Sequence, residues 1–203
     1  IAPTWRKNLV LAFDKGGMAQ YNPAFVESKF FAFYNRLIND KKLLFCMRKH
    51  GYTGILRLHP VGAIQANDFL CNEIFSIQRQ TDNYEDDFFR AAMVVTDYSS
   101  IAMDYGFVKK PVVYAQFDKD EFYASHSYHE SYFDYETEGF GPVCYDYEST
   151  VNAIAQLITQ DCKLDELYVR RRKDFFAHLD DQNCKRIVER VLSLSNIETR
   201  GRQ

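Results

Sequence analysis

Tryptophan occurs once in 203 residues, and there are only nine glycines and five prolines. Collagen-like and low-complexity classes are excluded by that scarcity. No apolar run approaches the roughly 18 residues of a membrane-spanning helix. The longest are short, such as Met93-Val94-Val95 and Pro111-Val112-Val113-Tyr114-Ala115. The five cysteines (Cys46, Cys71, Cys144, Cys162 and Cys184) are odd in number, widely spaced and form no C-x-x-C. That pattern argues against a disulfide framework or zinc knuckle and reads as reduced thiols of a cytosolic protein. Basic residues are not in excess: 25 Lys and Arg face 28 Asp and Glu, for a net charge of −3. A global field for nucleic acid or anionic lipid is therefore lacking, and no nucleic-acid partner is expected. Neither a dinucleotide G-x-G-x-x-G, nor a P-loop, nor a G-x-S-x-G elbow occurs, and Gly16-Gly17 is too short to cradle phosphate.

What is present is an ordinary globular composition, 46% apolar and 26% charged, with 17 Phe and 14 Tyr. A chain of this length buries a core without staples, and residues 1–203 are expected to form a single domain. No signal peptide is expected at its start. The first residue is Ile1, and Ile1-Ala2-Pro3 reads as the end of a strand already under way, so an excised piece of a longer protein is expected.

Asn22-Pro23 is a helix start, followed at helical spacing by Val26, Phe30, Phe33 and Leu37. A helix is expected from about Lys41 to His50, with Arg48, Lys49 and His50 at its negative end and Gly51 as the stop. Strands are expected over 53–58, 73–77, 93–96 and 111–116, with helices over 84–92 and 101–108. The strands 54–58, 93–96 and 111–116 are expected to be adjacent and parallel. Residues 8–18 carry both strand and loop signals. Residues 117–148 hold nine Asp or Glu and ten Phe or Tyr against one Lys119, and read as a long irregular excursion with one or two short helices. Three helices follow, near 149–159, 164–177 and 181–193. Ile187, Val188 and Val191 mark the inner face of the last, and the tail from Glu198 frays. Short apolar strands alternating with helices define an α/β fold: a Rossmann-like parallel sheet with helices on both faces.

In such sheets ligands sit outside the carboxyl ends of the strands. Three groups fall there: Pro3-Thr4-Trp5-Arg6, His59 before Pro60, and the turn Asp97-Tyr98-Ser99-Ser100. Arg, His, two Ser and a helix start around one crevice suit a phosphorylated ligand. Each has a structural alternative. Ser99 or Ser100 serves as a plain N-cap, His59 as a structural histidine, and Arg6 pairs with a carboxylate. Asp97 caps its helix, and Asp104 is solvated. His126, His129 and Glu130 are spaced for a metal, but no further ligand completes a set, so no metal is expected. Arg170-Arg171-Arg172-Lys173 reads as a solvated helix face, with contact to an anionic lipid or polymer as the alternative.

Taken together, Ala2-Pro3-Thr4-Trp5-Arg6, Arg57-Leu58-His59-Pro60, Thr96-Asp97-Tyr98-Ser99-Ser100-Ile101-Ala102-Met103-Asp104, Lys110-Pro111-Val112-Val113, Tyr132-Phe133-Asp134-Tyr135-Glu136 and Gly141-Pro142-Val143 occur in an informative order. That order resembles the carboxyl-terminal half of the CDP-glycerol:poly(glycerophosphate) glycerophosphotransferase family, the teichoic-acid polymerase and primase type. Asp180 to Ile187 is similar to that family's closing helix. The resemblance implies one half of a GT-B architecture that holds a CDP-activated polyol donor. An amino-terminal GT-B domain, absent here, would supply acceptor contacts and a further catalytic His. It also implies transfer of glycerol phosphate to a lipid-linked teichoic-acid-like or capsular polymer, with release of CMP. No cofactor is needed beyond CDP-glycerol, and the full-length protein would be cytoplasmic and peripheral on the inner face of the bacterial membrane.

By the same resemblance His59 matches the catalytic histidine. Ser99 and Ser100 match donor-phosphate ligands, and Thr4 and Arg6 match cleft residues. Asp97 and Asp104, in the same motif as the serines, join them as substrate-binding candidates. The chain departs from the family before Tyr132, where Glu130-Ser131 replaces an Arg-Gly pair. Two other functions stay open: a GT-B glycosyltransferase using a nucleotide sugar, and a donor-binding module inactive in isolation.

Overall fold

The computed structural model describes residues 1–78, 83–125 and 132–200. The described residues hold five short strands in two hydrogen-bonded sets: β1 (Gly54–Leu56), β2 (Phe75–Ile77), β3 (Val94–Thr96), β4 (Val112–Ala115) and β5 (Val143–Cys144). β1 pairs with β2, β3 with β4, and β4 with β5, all parallel. β1 and β3 do not pair with each other, which corrects the expected direct adjacency of 54–58 and 93–96. The extended segment Ile1–Ala2 lies between them. Its Ile1 nitrogen donates to Ile55 O at 2.7 Å, and Arg57 N donates back to Ile1 O at 2.9 Å. On the other side Ala2 N donates to Val95 O at 2.8 Å, and Thr96 Oγ1 donates to Ala2 O at 2.7 Å. On the β1 side the pair of bonds is the parallel pattern, and on the β3 side Ala2 meets Val95 while Thr4 N meets the Asp97 side chain, so the seam runs parallel to its neighbours. The sheet therefore reads β2, β1, seam, β3, β4, β5, with all carboxyl ends on one edge.

Among the described residues eight α-helices surround the sheet: α1 (Lys29–Ile38), α2 (Lys41–His50), α3 (Tyr84–Arg90), α4 (Ile101–Phe107), α5 (Lys119–Ser125), α6 (Tyr147–Thr159), α7 (Glu166–Phe175) and α8 (Asn183–Arg200). Alternation along the strands builds two cores. Val95, Val113 and Ala115 face Tyr34 and Leu37 of α1, Leu43 and Met47 of α2, and Ile154 and Ile158 of α6. Val94, Val112 and Tyr114 face Ala102 and Tyr105 of α4 with Phe133 and Phe140, covered by Phe175 and Phe176. All four β4 residues are fully buried, as a strand covered on both faces requires. This is the expected α/β class.

Several local expectations change. Asn22 Oδ1 accepts from Ala24 N and opens only a 3-10 turn, Pro23–Glu27. Ser28 Oγ then accepts from Phe31 N at 3.1 Å and restarts the chain as α1. The break lets Phe30, Phe33 and Leu37 face the core while Val26 stays exposed. Residues 8–18 resolve into a 3-10 turn over Lys7–Leu9 and a tight loop closed by the Phe13–Ala19 bridge. Asp14 Oδ1 accepts from Gly16 N and Met18 N within that loop. The 117–148 excursion contains α5 and also contributes β5, where Pro142 O just before the strand and Cys144 O within it accept from Tyr114 N and Gln116 N. Two residues of the basic run serve the fold. Arg172 Nε donates to Gly106 O at 2.7 Å at the carbonyl end of α4, and Arg171 Nη1 donates to Gly139 O. α8 continues to Arg200, and its apolar stripe is not inward: Ile187, Val188 and Val191 are all more than half exposed.

Candidate functional site

Four chain segments leave the carboxyl edge side by side: the seam into Pro3–Arg6, β1 into His59, β3 into Asp97–Ser100, and β4 into Gln116–Asp118. Asp97 ties three of them together. It is fully buried, and its Oδ1 accepts from Thr4 N at 2.8 Å and Tyr98 N at 2.6 Å. Its Oδ2 accepts from Arg6 Nη2 at 2.8 Å and Tyr34 Oη at 3.4 Å. Gln116 Nε2 donates to its carbonyl at 3.3 Å.

Arg6 is 5% exposed. Its Nε and Nη2 grip Asp118 at 2.9 and 3.1 Å, and Nη1 donates to Thr4 O at 2.8 Å. Its guanidinium carbon lies 4.5 Å from the Phe122 ring centroid and 5.2 Å from that of Tyr98. Those two rings stack on each other at 3.9 Å. Burial works against the Arg6 charge, but Asp97 and Asp118 outweigh it and raise its pKa. Burial, with Asp97 for Tyr34 and Asp118 for Tyr98, also raises the pKa values of these two phenols, so both remain donors at neutral pH. Arg6 follows the structural alternative of pairing with carboxylates, and Asp97 is bonded to groups of the protein. Their hydrogen-bonding capacity is consumed inside the protein.

His59 is treated differently. It is exposed, at the N-cap of a 3-10 helix, Pro60–Asp68, and its Nδ1 accepts from Val61 N at 3.2 Å. An accepting Nδ1 carries no proton, so the neutral ring holds its proton on Nε2. Among the described residues Nε2 has no hydrogen-bond partner. Partial burial lowers the pKa of His59, which favours this neutral donor form at pH 7. Ser99 Oγ accepts from Ile101 N at 3.3 Å and so caps α4, whereas the exposed Ser100 makes no side-chain cap bond. Thr4 is 8% exposed, and its Oγ1 has no hydrogen-bond partner among the described residues. A buried orphan hydroxyl at a strand-end crevice is the sort of group a ligand or water completes.

Asp104 stands apart. It lies on α4 beside Tyr84, in a groove with Phe88, Phe107 and Val108, and partial burial raises its pKa. That groove is not lined by Thr4, His59 or Ser100. An apolar cavity between β1 and β3, lined by Met47, Tyr52, Met93 and Ile158 among others, also excludes those edge residues. The described residues hold no group of three or more His, Cys, Asp or Glu that could take a metal. His126, His129 and Glu130 lie outside the described residues. Sequence reasoning missed Asp118 and Tyr34. Asp118 carried a usable signal, since it is a carboxylate three residues past a buried strand. Tyr34 had none, being one aromatic among several on an amphipathic helix.

A parallel α/β unit with its polar turns gathered at the carboxyl edge belongs to the open-sheet α/β class, whose ligands sit in the crevice at that edge. More particularly, the chain belongs to the CDP-Glycerol:Poly(glycerophosphate) glycerophosphotransferase family, whose model matches residues 1–193. It is 34% identical over 197 residues to the minor teichoic acid biosynthesis protein GgaB of Bacillus subtilis, covering 97% of this chain and 21% of that protein. It is 26% identical over 196 residues to a teichoic acid glycerol-phosphate transferase of Staphylococcus aureus, covering 94% of this chain and 43% of that protein. Among solved structures, the wall teichoic acid polymerase TagF superposes with a TM-score of 0.60 at 18% identity, over 98% of this chain and 43% of that one. The chain thus spans less than half the length of these relatives. Its likeness to part of a longer polymerase agrees with the GT-B half expected from the motifs.

Proposed function

We propose that this chain is the donor-binding part of an enzyme that transfers glycerol phosphate, or a related polyol phosphate, from a CDP-activated donor to a growing teichoic-acid-like or capsular polymer. The observation that carries the reading is the family match across residues 1–193. The acceptor is a lipid-linked polymer, and a further GT-B domain supplies its contacts. The working location is peripheral, on the inner face of the membrane; no helix among the described residues is long and apolar enough to cross one. The reading calls for no cofactor beyond the donor.

An acceptor hydroxyl attacks the phosphorus that bears the glycerol. A new P–O bond forms, the bond to the CMP oxygen breaks, and the hydroxyl proton is lost to solvent or base. Such transfers depend on positioning and charge stabilisation more than on covalent help. His59 is the catalytic candidate. Its Nε2–H has no acceptor among the described residues and suits the charge that builds on the departing CMP. Thr4 Oγ1, Ser99 and Ser100 are the donor-phosphate contacts. In an active longer form, His59→Ala lowers kcat by ~10²–10³, the usual cost of one such donor.

Calorimetry of the 203-residue chain with CDP-glycerol, CMP, UMP and AMP tests the reading. Binding of CDP-glycerol and CMP in preference to the other two, without turnover by this chain alone, is the expected outcome. Equal affinity for all three nucleotides, or none for CMP, overturns it. A parallel series with CDP-ribitol and UDP-sugars separates polyol-phosphate transfer from sugar transfer.

A further inference from the structure

We propose that Asp118 is a positioning residue for the donor: through Arg6 and Tyr98 it fixes the Thr4 turn and the Tyr98–Ser100 turn at one spacing. The donor assignment rests on the function proposed above; the geometry does not. Asp118 lies outside both motif turns, and its side chain bonds to a side chain of each. Oδ2 accepts from Arg6 Nε at 2.9 Å, while Oδ1 accepts from Arg6 Nη2 at 3.1 Å and from Tyr98 Oη at 3.3 Å.

Held this way, Arg6 has Nη1 directed at Thr4 O, while Asp97 takes Thr4 N. Both backbone groups of Thr4 are thereby fixed, and its buried hydroxyl is left as the unbonded group. Asp97 cannot do this alone. Its oxygens are already shared among Thr4 N, Tyr98 N, Arg6 and Tyr34. Without Asp118 the Arg6 Nε–H is left buried and unpaired, and the guanidinium is free to turn toward Asp97 alone. The Thr4 carbonyl and the Tyr98 ring then lose their common anchor. Polar contacts on a ligand are only as well placed as the groups behind them.

Asp118→Asn keeps an acceptor and removes the charge. In the folded 203-residue variant, amide exchange at Thr4 and Tyr98 is expected to rise while Val113 and Tyr114 in β4 keep their protection. Affinity for CDP-glycerol is expected to fall ~10-fold, the lower end of what losing a group behind a ligand contact costs. A role confined to stability would lower the melting temperature without moving that affinity in the folded protein. Tyr98→Phe removes only the 3.3 Å bond and shifts both readouts in the same direction by less. It decides the question if Asp118→Asn does not fold. Lys29→Met, which breaks the exposed pair with Glu121, changes neither. Unchanged exchange at Thr4 and Tyr98 overturns the positioning role. Raised exchange with unchanged affinity overturns its link to the donor. A wild-type chain that does not bind CDP-glycerol contradicts the functional reading, and the exchange data still decide the positioning.

Discussion

Arg6 and His59 leave neighbouring parallel segments at the same edge, and the fold uses them in opposite ways. Arg6 is walled in by two carboxylates, a carbonyl and the Phe122 ring. His59 is exposed, with one ring nitrogen engaged in its own turn and the other without a partner among the described residues. Two motifs that read alike in sequence thus divide into a frame and a contact. The frame is costly to assemble, because three charges are taken out of water together. It is stable only while every partner is present. The contact costs little stability, and its value lies in what it can touch.

Removing the frame's cation is expected to have the largest effect. Arg6→Ala leaves Asp97 and Asp118 buried without their counter-charge, and the loss on denaturant unfolding is expected to be about 3–5 kcal/mol. A loss below about 1 kcal/mol would mean that the two carboxylates find other partners, and the distinction between frame and contact would fail.

The smallest stability effect falls on the contact. His59→Ala loses one cap bond to Val61 N, and a change of about 1 kcal/mol is expected in urea unfolding. In the unaltered protein, imidazole nitrogen shifts at pH 7 should show the Nε2–H tautomer. A protonated ring at that pH would remove the basis for a neutral donor.

The strands were legible in sequence where β-branched runs are unbroken, as in Val94-Val95 and Val112-Val113. β5 was not, since two residues inside an acidic, aromatic stretch carry no periodicity. The α1 boundary depended on whether Asn22 or Ser28 caps it, a choice settled by how Phe30 and Phe33 reach the core. For α8 the sequence defined an apolar stripe but could not say what faces it. At the site, strand ends pointed to His59, Ser99 and Ser100. The roles of Arg6 and Asp97 were obscured because their partners Asp118 and Tyr34 lie 112 and 63 residues away in the chain.

The central claim is that the donor sits on the open groups of this edge, with the buried charges behind them. Mapping backbone amide shifts during a CDP-glycerol titration tests it most directly. The account predicts that the largest shifts fall at Thr4, His59, Ser99 and Ser100. Shifts centred instead on Asp104 and Val108, or on Tyr52 and Met93 at the apolar cavity, would contradict it.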